Sequence, residues 1–125
     1  MGTTEAEKIV TRFVASWERH DVDEVLDYFS EDAVWRPGPM KPAIGKAALR
    51  ERFSAWFGGV THLGAEIHTQ VSDGKTVMHE RTDRFMLGNR EMTTPIGSAF
   101  EIEDGLITAW REYFDWPPEF RSEIT

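Results

Sequence analysis

The 125-residue chain contains no cysteine. Disulfide frameworks and thiolate chemistry are therefore excluded, and a reducing, cytoplasmic location is compatible with that composition. Positive charge is also scarce: 14 Lys and Arg face 22 Asp and Glu, a formal net charge of −8. Nucleic acid and anionic membrane surfaces need a basic patch, so neither is an expected partner. No apolar run approaches the roughly 20 residues of a membrane-spanning helix. The opening MGTTEAEKIV lacks a basic segment followed by an apolar one, and so does not read as a secretion signal. Gly2 does not open a myristoylation motif, because Ala6 stands where that motif requires a hydroxyl residue. His20, His62, His68 and His79 show neither HxxxH nor HxH spacing, and no metal site is expected. A glycine-rich phosphate loop and a Gly-x-Ser-x-Gly elbow are both missing, which sets aside nucleotide binding and serine-hydrolase chemistry. With no internal repeat, linker or low-complexity tract, the expectation is one domain over residues 1–125 with a single sizeable core.

What the chain has in abundance is aromatic side chains, including five Trp and eight Phe. In a domain of this size they either pack solidly or line a cavity. Ile9, Val10, Phe13, Val14 and Trp17 recur at helical spacing and read as the core stripe of a first helix ending at His20-Asp21. Asp21 with Glu24 resembles a capping box for a short second helix that buries Val22, Val25, Leu26 and Phe29. A short strand over residues 33–36 runs into Pro37-Gly38-Pro39, a loop expected at a pocket mouth. A third helix follows Gly45, with Leu49, Phe53, Trp56 and Phe57 buried and Gly58-Gly59 stopping it. The period then changes to two. Strands are expected near residues 63–72, 76–87, 93–102 and 106–114, with Asp73-Gly74 and Asp104-Gly105 as hairpin turns. The product is an α+β fold in which helices cover the concave face of a curved antiparallel meander.

Two of these strands carry charge into apolar company. The alternation Val77, His79, Arg81, Asp83, Phe85, Leu87 puts an Arg and an Asp on one mostly apolar face. Its other phase, Met78, Glu80, Thr82, Arg84, Met86, is mixed and suits solvent or a subunit partner. In Leu106, Thr108, Trp110, Glu112, Phe114 a carboxylate stands between two aromatics. Ionised groups facing a dry interior are costly unless paired. Arg81 and Asp83 therefore form either a structural ion pair or, with Glu112, a polar constellation at the bottom of an apolar pocket. Trp110 and Phe114 either line that pocket or fill the core. His79, on the inner face, reads as a hydrogen-bonded pocket histidine.

The order of elements, the segment ending in SEDAVW and the closing FEIEDGLITAWREYFD resemble the cone-shaped, cystatin-like fold shared by nuclear transport factor 2, ketosteroid isomerase and SnoaL-like proteins. That resemblance covers nearly the whole chain and implies N-terminal helices on a curved sheet around an apolar pocket; it implies little about chemistry. A narrower one does more. His79-Glu80-Arg81-Thr82-Asp83, followed by Trp110-Arg111-Glu112-Tyr113-Phe114-Asp115, resembles the limonene-1,2-epoxide hydrolase family. There an Arg-x-Asp and a Trp-Arg-Asp-Tyr-Phe-Asp supply an Asp–Arg–Asp triad. The resemblance implies Asp83 as general acid, Arg81 as the bridge and Glu112 as general base in place of the family's Asp. Aligning Pro42-Ala43-Ile44-Gly45 with the family's Pro-Ala-x-Gly puts Trp35 and Pro37 where that family has a water-holding Tyr and Asn. Trp35 keeps an N–H donor but loses an acceptor, and Pro37 offers no side-chain hydrogen bond. The match to ketosteroid isomerase itself is poor, because Arg36 stands where that family has its Asp base.

Opening an epoxide with water in one step needs an acid on the oxygen and a base on the water together, and needs no cofactor. The resemblance thus implies a cofactor-independent hydrolase of a small apolar epoxide, its pocket lined by Trp35, His79, Phe85, Trp110 and Phe114. Two other readings stay open. The lost Tyr and Asn favour a SnoaL-like cyclase or isomerase acting on a polyketide- or steroid-like ketone. A pocket sealed by Trp35, Trp110 and Phe114 would favour a non-catalytic domain that binds a small molecule. A homodimer is also implied, paired through the convex sheet face that carries Met78, Thr82 and Met86.

Overall fold

Thr4 opens the first helix by accepting the Glu7 amide on its hydroxyl at 3.1 Å, which satisfies one of the free N–H groups at a helix start. In the computed structural model, which describes residues 4–115 and only the backbone of Leu63, helix α1 spans Glu5–Ser16. Gly2 lies outside the described residues. The expected stripe of α1 is buried throughout, Trp17 included. A single 3-10 turn, Trp17–Arg19, follows, and His20 ends it in the left-handed conformation (φ 52°). Asp21 then accepts the Glu24 amide at 3.2 Å and starts α2, Val22–Leu26.

The remaining elements are β1 (Phe29–Pro37), β2 (Ala43–Ile44), α3 (Lys46–Gly59), β3 (Val60–Ser72), β4 (Thr76–Leu87), β5 (Arg90–Glu103) and β6 (Leu106–Tyr113). They form one six-stranded sheet in the order β2-β1-β6-β5-β4-β3. Strands β3 to β6 are the expected antiparallel meander. The sheet as a whole is mixed, however, because β6 returns beside β1 and pairs with it in parallel. Strand β1 begins four residues earlier than its apolar alternation suggests, since Ser30-Glu31-Asp32 carries no period-two signal. The same cause hides the start of β5, where Arg90-Glu91 follows the turn. Helix α3 runs through Gly58-Gly59 and stops only at Val60. Of its four expected core residues, Leu49 and Phe53 are buried, whereas Trp56 is exposed and Phe57 half-buried.

Irregularities in the sheet decide which side chains face inward. Glu101 pairs with Ala109 and Ile102 with Ile107, so Thr108 is the extra residue of a bulge. Its hydroxyl donates to the Glu101 carbonyl at 3.2 Å. The face expected from Leu106 through Phe114 is therefore broken: Leu106 is exposed, Ile107 is buried in its stead, and only from Trp110 does the alternation hold. Beneath the helices, Phe13 is the hub of the core. Its ring makes edge-to-face contacts with Trp17, Phe29 and Trp110 at centroid distances of 5.3, 5.2 and 5.1 Å. Each such pair contributes about 1 kcal/mol beyond area burial.

Candidate active site

Strand alternation places Arg81 and Asp83 on the inner face of β4, and both are buried. Register then brings β6 to them. His79 pairs with Ser98 on β5, Ser98 with Glu112 on β6, and Glu112 with Pro37 on β1, one row across the concave face. The Arg81 guanidinium closes the array. Its Nε donates to Asp83 Oδ1 at 2.8 Å and its Nη2 to Asp83 Oδ2 at 3.2 Å. Nη2 also donates to Glu112 Oε2. Arg81, 1% exposed, is thus held between two carboxylates, and its guanidinium carbon lies 4.9 Å from the Trp17 ring, a favourable cation–π geometry.

Glu112 has a second donor. Trp35 Nε1–H donates to its Oε1 at 2.9 Å. Trp35 is fixed for that role by stacking on Trp110, with centroids 4.7 Å apart and planes within 5°. Trp110 is fixed in turn by donating Nε1–H to Ser98 Oγ at 2.9 Å. Burial raises the Glu112 pKa and the Asp83 charge adds to the rise, while Arg81 and the Trp35 N–H oppose it. Burial also works against charge on Arg81, but Glu112 and Asp83 outweigh it and hold the guanidinium protonated.

His79 is not at the cavity surface, which corrects the expectation that it lines the pocket. It sits behind Arg81, where Nε2 accepts from Arg81 Nη1 at 3.1 Å and Nδ1 faces Gln70 Oε1 at 3.0 Å. An acceptor at Nδ1 assigns the proton to that nitrogen and leaves Nε2 free to accept. Burial, assisted by Arg81, lowers the His79 pKa to about 3, so the ring is neutral.

The array borders a cavity of about 340 Å³ with a predominantly apolar wall that includes Trp17, Trp35, Phe53, Phe85, Ile96 and Trp110. Phe114 also lines it, while Met40, Arg52, Trp56 and Leu87 form the solvent-facing rim. Arg81, Asp83 and Glu112 occupy the buried end. Trp17, His62 and Arg52 are lining residues that sequence reasoning missed. Trp17 is the last member of a helical stripe, and nothing in its spacing separates cavity wall from core. His62 was hidden by starting the strand at residue 63; once β3 begins at Val60, its pairing with Phe85 turns it inward. Burial lowers the His62 pKa to about 4, with His20 and Arg81 adding to the fall and Asp83 opposing it. Among the described residues no group of His, Asp and Glu is arranged to hold a metal ion, and no helix is long and apolar enough to cross a membrane.

The chain has relatives. The chain belongs to the SnoaL-like domain family, which matches residues 10–110. Epoxide hydrolase EphG of Mycobacterium tuberculosis is 32% identical over 109 residues, 85% of this chain and 70% of that protein. The solved structure of an M. tuberculosis LEH-like epoxide hydrolase superimposes with a TM-score of 0.80 at 30% identity, covering 89% of this chain and 83% of that one. SalBIII, an epoxide hydrolase/cyclase-like enzyme in pyran ring formation in the polyether salinomycin, gives a TM-score of 0.76 at 24% identity over 87% of this chain and 89% of its own. At that identity the last likeness is one of fold alone.

Proposed function

We propose that the protein is a cofactor-independent epoxide hydrolase acting on a small, largely apolar epoxide. The observation that carries this reading is Arg81 bridging two buried carboxylates at the closed end of an apolar cavity. In the proposed step Glu112 takes a proton from water as the water oxygen attacks an epoxide carbon. The carbon–oxygen bond breaks and the leaving oxygen takes a proton from Asp83, giving a diol. The return of one proton from Glu112 to Asp83 resets the pair. Arg81 stabilises whichever carboxylate is charged. The identity to EphG supports the assignment.

One observation favours a second reading. Trp35 donates to Glu112 Oε1 and Pro37 lies beside it, so neither offers an acceptor to position a water. The same acid–base pair acting on a hydroxyl or an enolisable carbon within the substrate would make the protein a cyclase or isomerase. Product analysis separates the two. Incubation with a panel of cyclic and aliphatic epoxides should yield diols, and Asp83→Asn or Glu112→Gln should lower turnover by orders of magnitude with little change in ligand affinity. No diol from any of them, with cyclised or isomerised product from a ketone or hydroxy-epoxide, would overturn the hydrolase reading.

We also propose, on the implied family likeness, that the convex sheet face pairs with a second copy in the cytoplasm. Of the residues expected there, Met78 is 52% exposed and Thr82 and Met86 are half-buried; Val71, 59% exposed, pairs with Met78. Light scattering at micromolar concentration should give twice the monomer mass; a monomer would rule the pairing out.

A further inference from the structure

Six arginines, Arg12, Arg19, Arg50, Arg81, Arg84 and Arg111, each have a carboxylate partner. Exposed Arg36 has none among the described residues, and neither has Arg52, although the chain carries a net charge of −8 and carboxylates are plentiful. Arg52 is also half-buried and lines the cavity rim. Its position is specified nonetheless: Nη1 donates to the Lys41 carbonyl at 2.9 Å, and the guanidinium carbon lies 5.9 Å from the Trp35 ring centroid. That anchoring leaves the Nε–Nη2 edge without a partner among the described residues. The same edge of Arg81 grips Asp83 with two parallel bonds, the geometry that suits a carboxylate. Lys41, whose carbonyl anchors Arg52, is exposed and also without a carboxylate partner among the described residues.

We propose that the ligand of this cavity carries a carboxylate, which docks on the free edge of Arg52 while the apolar body reaches past Trp35 to the Asp83–Arg81–Glu112 array. Trp35 lies between the two ends. One end of its reach is Arg52, stationed by the ring face, and the other is Glu112, bound to the ring N–H. Both ends of the ligand are thereby tied to one side chain, the carboxylate at its ring face and the reacting carbons beside the acceptor of its N–H. The remaining wall is apolar and offers the chain no other charged partner outside the array. Only the identity of the reacting group rests on the epoxide-opening reading; the docking of a carboxylate does not.

The test uses binding, followed by quenching of tryptophan fluorescence, with decanoate and methyl decanoate as probes. At pH 7.5 and low salt, decanoate should bind the wild-type protein about tenfold more tightly than the ester, the worth of one charge-assisted pair at a half-exposed site. The preference should shrink as sodium chloride is raised. Arg52→Gln should bring decanoate to the level of the ester, and Arg52→Lys, which keeps the charge without the fork, should fall between. Equal binding of acid and ester by the wild type, or a preference that survives Arg52→Gln, overturns the proposal. If Arg52→Gln does not fold by circular dichroism, Arg52→Lys and the wild-type salt dependence decide it. Diol formation from a neutral epoxide is scored separately. Turnover without an acid preference defeats the carboxylate proposal and leaves the hydrolase reading standing; an acid preference without turnover does the reverse.

Discussion

Arg81 would be intolerable in this interior without its neighbours, and each neighbour does something different for it. Asp83 fixes the guanidinium in a plane, Glu112 balances its charge, and neutral His79 takes up the N–H that points away from the cavity. His79 is therefore a positioning residue. His79→Leu should strand a charged donor in a dry site, at about 1–3 kcal/mol of stability, and should lower kcat more than it raises KM. His79→Asn, which restores a carbonyl acceptor, should recover much of both; denaturant titration and steady-state kinetics on the pair of variants check this. Glu112 allows a test of roles. As a base it must be ionised, and its pKa is raised by burial, so activity should fall as pH drops through that raised value. Glu112→Asp, with Trp35 and Pro37 unchanged, should then cost activity if the longer side chain compensates for the missing Tyr and Asn, and retain it if position 112 holds the water alone. Loss of activity on the alkaline side, attributable to Glu112, would exchange the acid and base. The alternation of charged and apolar residues made Arg81 and Asp83 legible from sequence, and the motif likeness made Glu112 so. The Trp35–Glu112 bond and the seat of His79 were not legible, because both depend on cross-strand register.

At the scale of elements, local chemistry predicted what is local. Asp21 caps the second helix as expected, and the third helix follows Gly45. Strand β4 spans residues 76–87 as its alternation indicates. What escaped was non-local: the parallel pairing of β1 with β6, the small strand β2, and the bulge at Thr108 that sets the inward phase of Trp110 and Glu112. A sequence period cannot report the one residue that interrupts it. The turn after β1 shows how closely such irregular segments control the cavity. Gly38 has φ +52°, and a Cβ there would lie 2.7 Å from the Phe114 ring. Its N–H donates to the Glu112 carbonyl at 2.8 Å. Gly38→Ala should destabilise the fold by about 1–2 kcal/mol through the left-handed backbone and the clash. It should also displace Phe114 from the cavity wall, so affinity for apolar ligands should drop together with the thermal midpoint. An unchanged melting temperature would show that neither constraint acts.

At the scale of the whole molecule, the pH dependence of stability is set by groups packed against the array rather than by surface charge. His62 and His79, with pKa values near 4 and 3 against an ordinary 6.5, must stay neutral in the folded chain. Both bind protons more readily when unfolded, so the stability they confer is complete above pH 6.5 and is lost as pH falls toward their folded values. Glu112 acts in the opposite sense. Its pKa is raised from 4.5, so the folded state takes up its proton first and gains stability as pH falls through that interval. Asp73 and Glu24, whose pKa values are lowered from 3.8 and 4.5, favour folding only above those ordinary values. Between pH 6.5 and 4.5 the balance is therefore two histidines against one glutamate, and the urea midpoint should decline on acidification from pH 7 to pH 5. Replacing both histidines, His62→Asn with His79→Asn, should remove the decline and expose the opposite slope of Glu112. A wild-type midpoint that holds steady or rises over the same interval would mean that the rings are protonated inside the fold, and that Arg81 is not held by a neutral imidazole.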